Sequence, residues 1–197
     1  LKLFRPYPEG TSVLLHVCCA PDAAHGVPAM LAERFRVTGH FYNPNIHPVE
    51  EYAKRLDAVE RLREAIPFPL VVEGGGEAAW EEAVRGMEGD KERGKRCEAC
   101  VRLRLRRTAE AARAGGFDAF ASVLTVSRLK SARMVNPIGR EEAARAGVAF
   151  VDADMGKNDG YNDSVRVTTR LGIYRQDYCG CRFSMRRVKS GGEDAEE

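Results

Sequence analysis

Ser12–Val17 (SVLLHV) is an unbroken apolar run of strand length, and the chain beyond it alternates such runs with segments of helical period. The Cys-Cys-Ala-Pro turn ends this first strand, and a helix is expected from Gly26–Pro28 to Phe35, proline being tolerated in a first turn. Arg36–Tyr42 (RVTGHFY) reads as a second strand, broken by the turn-rich segment Asn43–Pro48. Glu50–Ile66 is the clearest helix: Tyr52, Leu56, Val59, Leu62 and Ile66 recur near 3.6 spacing, with charges opposite. A short strand at Pro69–Val72 and a short acidic helix around Trp80, Glu77–Val84, follow. Glu98–Ala114 is an arginine-faced helix stopped by Gly115-Gly116. The remaining pattern predicts strands at Ala119–Thr125 and Val148–Val151 and helices at Asn136–Ala146 and Ser164–Leu171. Ser190–Glu197 (SGGEDAEE) has no apolar position and is expected to be a disordered acidic tail.

Strands separated by helices imply crossover connections and a doubly wound, mainly parallel α/β sheet with helices on both faces. Such sheets bind ligands beyond the carboxyl ends of their strands, where the strand order reverses. Cys18 and Cys19 stand at the end of the first strand, in that position. The 197 residues, 44% of them hydrophobic, suit one domain, read as 1–189 with the tail at 190–197.

Composition narrows the class. No apolar run is long enough to span a bilayer, and Leu1–Gly10, with Pro6 and Pro8, lacks the apolar core of a secretory leader. A cytoplasmic protein without membrane partners is the expectation. The formal charge is only +2, so net charge does not announce a nucleic-acid binder, although arginine outnumbers lysine 24 to 7. That bias suits phosphate contacts and equally fits the codon usage of a GC-rich genome.

The six cysteines fall as Cys18-Cys19, Cys97-x-x-Cys100 and Cys179-x-Cys181. Without a leader, paired cysteines point to ligands or catalysts rather than to a disulfide framework. Cys97 and Cys100 open a helix, where the terminal partial charge and the basic residues from Lys91 to Arg107 favour thiolates. A lone CxxC is compatible with redox chemistry or with metal binding. Vicinal Cys18 and Cys19 make a strained disulfide and a poor staple. With Cys97 and Cys100 they supply four thiolates, the number taken by zinc or by a [4Fe–4S] cluster. Gly180 allows the backbone twist of a small ring at Cys179-Cys181, so that pair can cycle between dithiol and disulfide or chelate a further metal. Asp22, four residues after Cys18, either completes a sulfur–oxygen site or caps the following helix.

HVCCAPD (His16–Asp22), FYNPNIHP (Phe41–Pro48), EYAKR (Glu51–Arg55), RCEAC (Arg96–Cys100) and LGIYRQDYCGCRFS (Leu171–Ser184), in this order from about Val13 to Ser184, resemble the cobalamin-independent epoxyqueuosine reductases of the QueH type. The resemblance implies an adenine-nucleotide α-hydrolase-like Rossmann variant in which His16–Asp22 replaces a pyrophosphate loop. It implies removal of the epoxide oxygen of epoxyqueuosine at the wobble position of tRNA (the Asp, Asn, His and Tyr acceptors), giving queuosine, with an iron–sulfur cluster and electrons from an external donor. Carried over, Cys18, Cys19, Cys97 and Cys100 are the cluster ligands. Cys179 and Cys181 are redox thiols or, with Asp22, ligands of an additional iron; the additional iron is the favoured reading, and it makes Asp22, Cys179 and Cys181 the catalytic set. Many members carry CAPC where this chain has CAPD, and TVSRLKS (Thr125–Ser131) departs from the commoner SPYKN-like stretch.

Deoxygenation of an epoxide to an alkene takes two electrons and two protons. Tyr161, Tyr174, Tyr178, His16 and His47 are the candidate proton donors; His16, within a buried strand, reads rather as a core histidine. Arg175 and Gln176 are candidates for holding substrate or orienting ligands. The basic stretches Arg96–Arg107 and Arg182–Lys189 are expected to face tRNA phosphates, and acidic Glu73–Glu92 to face away. Two alternatives remain: an iron–sulfur tRNA sulfur transferase using ATP, whose SGGxDS-type loop Val17–Ala23 lacks, and a zinc-stabilised RNA-binding module without catalysis.

Overall fold

The computed structural model describes residues 2–4 and 6–185; the expected tail 190–197 and the 186–189 part of the second basic stretch lie outside the described residues. Two short strands, β1 (Lys2–Leu3) and β7 (Ala153–Asp154), pair antiparallel in a ribbon of their own. Between them in the chain, β2 (Ser12–His16), β3 (Arg36–Phe41), β4 (Leu70–Val72), β5 (Ala119–Ser122) and β6 (Ala149–Phe150) form one sheet, ordered β4-β3-β2-β5-β6 with every pairing parallel. β2 is central because Val13, Leu14 and Leu15 are apolar on both faces, as a strand covered by helices on both sides must be.

The helices form two layers. α1 (Ala20–Ala32) packs on α2 (Val49–Ala65) and on α6 (Gly160–Arg170); α4 (Lys95–Ala114) packs on α3 (Glu77–Val84) and on α5 (Ala132–Ala146). Right-handed crossovers running outward from β2 in one direction and from β5 in the other put these layers on opposite faces of the sheet. The strand order therefore reverses between β2 and β5, and the carboxyl ends of those two strands frame a crevice.

Several boundaries differ from the expectation, and three of them shape the site. α1 begins at Ala20, six residues early, because Pro21 sits in the first turn, where a helix lacks a partner for its N–H in any case. α4 begins at Lys95 and so takes Cys97 into its first turn. The strand expected to reach Thr125 stops at Ser122. There the Ser122 hydroxyl accepts the Leu124 N–H at 3.2 Å and turns the chain into a 3₁₀ segment, Val123–Val126. Gly26 of α1 lies directly over that segment; a Cβ there would stand 2.6 Å from Val123. The apolar, β-branched sequence looked like strand, and tertiary packing decided otherwise.

Candidate metal centre

β2 runs through Val17 into Cys18 and Cys19, and α1 starts at once, with Cys19 as its extended N-cap and Asp22 in its first turn. A carboxylate is favourable at that end of a helix. It also faces back on the doublet: Cys18 Sγ lies 3.1 Å from Asp22 Oδ2 and 3.6 Å from Cys19 Sγ. Cys18, Cys19 and Asp22 are all buried, and one ligand atom from each lies within 4.8 Å of the others, the one such group of three among the described residues. Two soft sulfurs and a hard oxygen form a small metal-ligand cluster. Burial lifts the Asp22 carboxyl to about 6, opposed by its thiol hydrogen bonds. The Cys18 thiol is pushed well up, first by its bond to Cys19 and then by burial. Without a cation the Cys18 thiol thus keeps its proton, and a metal displaces it on binding.

Cys97 and Cys100 lie three residues apart on one face of α4. Cys97 Sγ accepts the backbone N–H of Arg93 at 3.2 Å, Arg93 itself adopting the left-handed conformation (φ 71°) that aims this N–H. The buried Arg96 guanidinium fixes the turn before the helix by donating to the carbonyls of Met87, Glu88 and Asp90. Cys100 packs with Cys181, Trp80 and Val84 in a small core of its own, against which Cys179 and Phe183 rest.

The Cys179–Cys181 loop is anchored by elements more than a hundred residues earlier. Arg55 of α2 is buried and accompanied by Glu51, 2.6 Å from its Nε. Its two terminal nitrogens donate to the carbonyls of Cys179 (3.2 Å) and Tyr178 (3.0 Å), and the guanidinium lies over the Tyr178 ring. From the Asn43–Pro48 loop, the His47 N–H donates to the Gly180 carbonyl at 2.8 Å, and Tyr178 returns a bond to the His47 carbonyl. Gly180 has φ 99°, and a Cβ there would meet Ile46 at 3.0 Å and the Arg55 guanidinium at 3.1 Å. The motifs around Asn43–Pro48 and Glu51–Arg55 therefore hold the last cysteine pair. Cys181 donates to Cys179, which draws the Cys179 thiol well below its ordinary value and drives Cys181 up. Lys130 and the Ser184 hydroxyl, 3.0 Å from Cys179 Sγ, work in the same direction.

One cavity of about 410 Å³ joins these parts: Cys18, Asp22 and Cys179 line it together with Arg55, Arg104 and Lys130. It adjoins a wider groove of about 980 Å³, lined by Lys2, Arg133, Arg140 and Lys157, and the two share Ser127, Arg128, Lys130 and Tyr161. Cys179 thus belongs both to the cavity of the first doublet and to the small core of Cys100 and Cys181.

Among the candidate proton donors, Tyr161 and Tyr178 line the cavity. Tyr174 donates to Glu51 at 2.8 Å, and burial with this bond raises its hydroxyl to about 12. His16 is fully buried with Nδ1 3.0 Å from Ser122, and His47 lies against Trp80. Arg175 and Gln176 both line the cavity; Arg175 is tied to Ser164 and Thr168, and Gln176 Oε1 has no partner among the described residues. Most of the arginine stretch of α4 that was expected to face tRNA is engaged within the protein. Arg96 and Arg104 are buried, Arg102 and Arg106 pair with Glu142 of α5, and Arg107 pairs with Glu73. Lys130 escaped the sequence reading, because only the fold shows that the loop after β5 turns inward.

An α/β fold with a buried cysteine–carboxylate ligand group at its switch point defines a metal-binding protein of the crevice-site type. The family model described as "Epoxyqueuosine reductase QueH" matches residues 13–187. Proteins with that description from Thermotoga maritima (40% identical, 88% of this chain and 90% of the relative), Haemophilus influenzae (35%, 91% and 74%) and Acinetobacter baylyi (35%, 94% and 85%) are similar over nearly the whole chain. The chain belongs to the QueH family of epoxyqueuosine reductases, and it is an oxidoreductase.

Proposed function

We propose that this chain removes the epoxide oxygen of epoxyqueuosine at the wobble position of tRNA, using a [4Fe–4S] cluster on Cys18, Cys19, Cys97 and Cys100 and an additional iron on Asp22, Cys179 and Cys181. The observation that carries this reading is the single cavity lined by Cys18, Asp22 and Cys179, with Cys100 and Cys181 packed together behind it. A donor set of buried thiols and one carboxyl, soft and hard ligands side by side, fits iron. When bound, these groups supply one-electron transfer and Lewis-acid polarisation of the epoxide oxygen.

The chain's own residues do the rest. Arg55 and the Asn43–Pro48 loop orient Cys179 and Cys181. Trp80, fully buried against Cys100 and Cys181, excludes water behind them. Gln176 offers a free carbonyl oxygen to the nucleoside in the cavity. The tRNA backbone follows the outer groove, where Arg133 and Lys157 have no ion-pair partner among the described residues. Arg128, over the Tyr161 ring at 4.2 Å, forms a shelf at the mouth on which a splayed loop base stacks.

The ATP-using sulfur transferase is disfavoured by Asp22: in the first turn of α1 it sets a carboxyl where a pyrophosphate would need bare N–H groups. The frame is read as an adenine-nucleotide α-hydrolase-like Rossmann variant, with the cysteine doublet in place of the phosphate loop, and residues 1–189 as one domain. A cytoplasmic setting accords with six unpaired cysteines; among the described residues no helix is long and apolar enough to cross a membrane.

The test is anaerobic purification with iron and sulfide analysis, then incubation with a reductant and epoxyqueuosine-tRNA and mass analysis of the released nucleosides. Queuosine is expected; a colourless zinc protein that leaves the epoxide intact defeats the reading. Asp22→Ala should keep the visible absorbance and the sulfide content while lowering iron and turnover; full turnover in that variant removes the additional iron from the scheme.

A further inference from the structure

Lys130 is an anomaly among the charged side chains. It is only 5% exposed, and its Nζ has no hydrogen-bond partner among the described residues. An ammonium buried without a partner is costly, so such a group is retained where something else supplies the partner. Its backbone is fixed: the turn after the 3₁₀ segment is closed by Leu129 N–H on Ser127 Oγ at 3.2 Å and Lys130 N–H on the Ser127 carbonyl at 3.1 Å. That turn extends β5, the strand beside the one that delivers Cys18.

Lys130 stands where the outer groove opens into the cavity, since it lines both. The other side chains at that junction are engaged: Arg128 with Asn162 and the Tyr161 ring, Ser127 with the Leu129 N–H. Of the anionic groups in the cavity, Asp22 already feels the guanidiniums of Arg175 and Arg55, and Cys179 lies in the field of Lys130 without accepting a hydrogen bond from it. A phosphodiester on the surface meets exposed arginines first. Beyond Cys179, an ammonium this deep reaches a group inserted into the cavity, and on the reductase reading that group is the epoxide-bearing nucleoside.

We propose that Lys130 is a catalytic residue whose ammonium donates a hydrogen bond to the epoxide oxygen and stabilises the alkoxide formed as the first carbon–oxygen bond breaks. Over the full reaction both carbon–oxygen bonds break, a carbon–carbon double bond forms and the oxygen leaves as water. Two electrons come from an external one-electron reductant and two protons from solvent. Lys130 contributes no electrons and ends as it began, an ammonium. This inference rests on the reductase reading.

The experiment uses the iron-loaded full chain with dithionite and epoxyqueuosine-tRNA under single-turnover conditions, comparing wild type with Lys130→Ala, Lys130→Gln and Lys130→Arg. Iron content, visible absorbance, thermal unfolding and tRNA affinity are measured on each. Loss of one preorganised donor to a developing oxyanion predicts a rate about 100-fold lower in Lys130→Ala and Lys130→Gln. Iron, absorbance and tRNA affinity should be retained, with partial recovery in Lys130→Arg and in Lys130→Ala supplied with ethylammonium. An unchanged rate overturns the assignment. So does a loss that tracks iron, one that lies wholly in tRNA affinity, or one that ethylammonium leaves in place. Wild type that leaves the epoxide intact defeats the reductase reading itself, whereas wild-type turnover matched by Lys130→Ala defeats only Lys130.

Discussion

Arg55 carries a full charge inside the protein, and its hydrogen bonds go to Glu51 one turn away and to two carbonyls of the loop that bears Cys179. Removing one member of such a buried pair leaves the other uncompensated, so Arg55→Leu should lower stability by about 3–5 kcal/mol in urea unfolding. Arg55→Leu with Glu51→Leu should recover much of that loss, yet iron content should stay low, because the carbonyl clamp on Cys179 is gone in both. His16 makes a second prediction. Burial, with Arg104 and His40 adding to it, holds His16 well below its ordinary 6.5, so the folded protein keeps it neutral while the unfolded chain takes a proton. Its contribution is complete above about 6.5 and is lost as pH falls below that value. His16→Asn should therefore flatten the dependence of the urea midpoint on pH between 7.5 and 5, and an unchanged slope excludes His16 as its source. The EYAKR motif announced Arg55 as part of a pattern, but a Glu and an Arg at i and i+4 look the same on a wet helix face as on a buried one. Burial is a property of the fold, which is why its role was not legible.

At the scale of elements, the helical and strand periods located the main secondary structure, α3 to the residue, because apolar spacing survives any tertiary context. What the pattern misjudged were ends. Pro21 reads as a break unless the helix starts just before it, and Val123–Val126 reads as strand until Gly26 is laid across it. The arginine face of α4 misled for a related reason: a charge run does not reveal its counter-ions. Glu142 of α5 is almost wholly buried between Arg102 and Arg106, and against the upward pull of burial they hold its carboxyl below the usual range. Glu142→Ala should thus cost about 3 kcal/mol by thermal or urea unfolding, far more than an exposed pair. tRNA affinity at a given salt concentration should stay the same or rise, since the Arg106 guanidinium is released while Arg102 keeps Glu141 at 2.6 Å.

For the whole molecule, the charge that matters is placed rather than summed. The outer groove gathers Lys2, Arg128, Arg133, Arg140 and Lys157 around the cavity mouth, while a formal +2 for the chain hides this. Arg133→Ala and Lys157→Ala should each weaken tRNA binding and reduce the slope of log affinity against log salt by about 0.7–0.9; Arg107→Ala, its charge engaged by Glu73, should not. The position of the site at the strand-order reversal was readable from the alternation of strands and helices, because chain connectivity alone determines where such a crevice opens. That Cys18, Asp22 and Cys179 line one cavity, with Cys100 packed on Cys181, was readable only as an expectation from motif order. The anchoring of Cys179 and Cys181 by Arg55 and His47 also dictates a sequence of events in the cell. The doublet after β2 is synthesised well before the clamped pair, so the clamp can close only once Cys181 has followed it out of the ribosome. A chain cut short of residue 178 therefore lacks the pair that Arg55 and His47 hold.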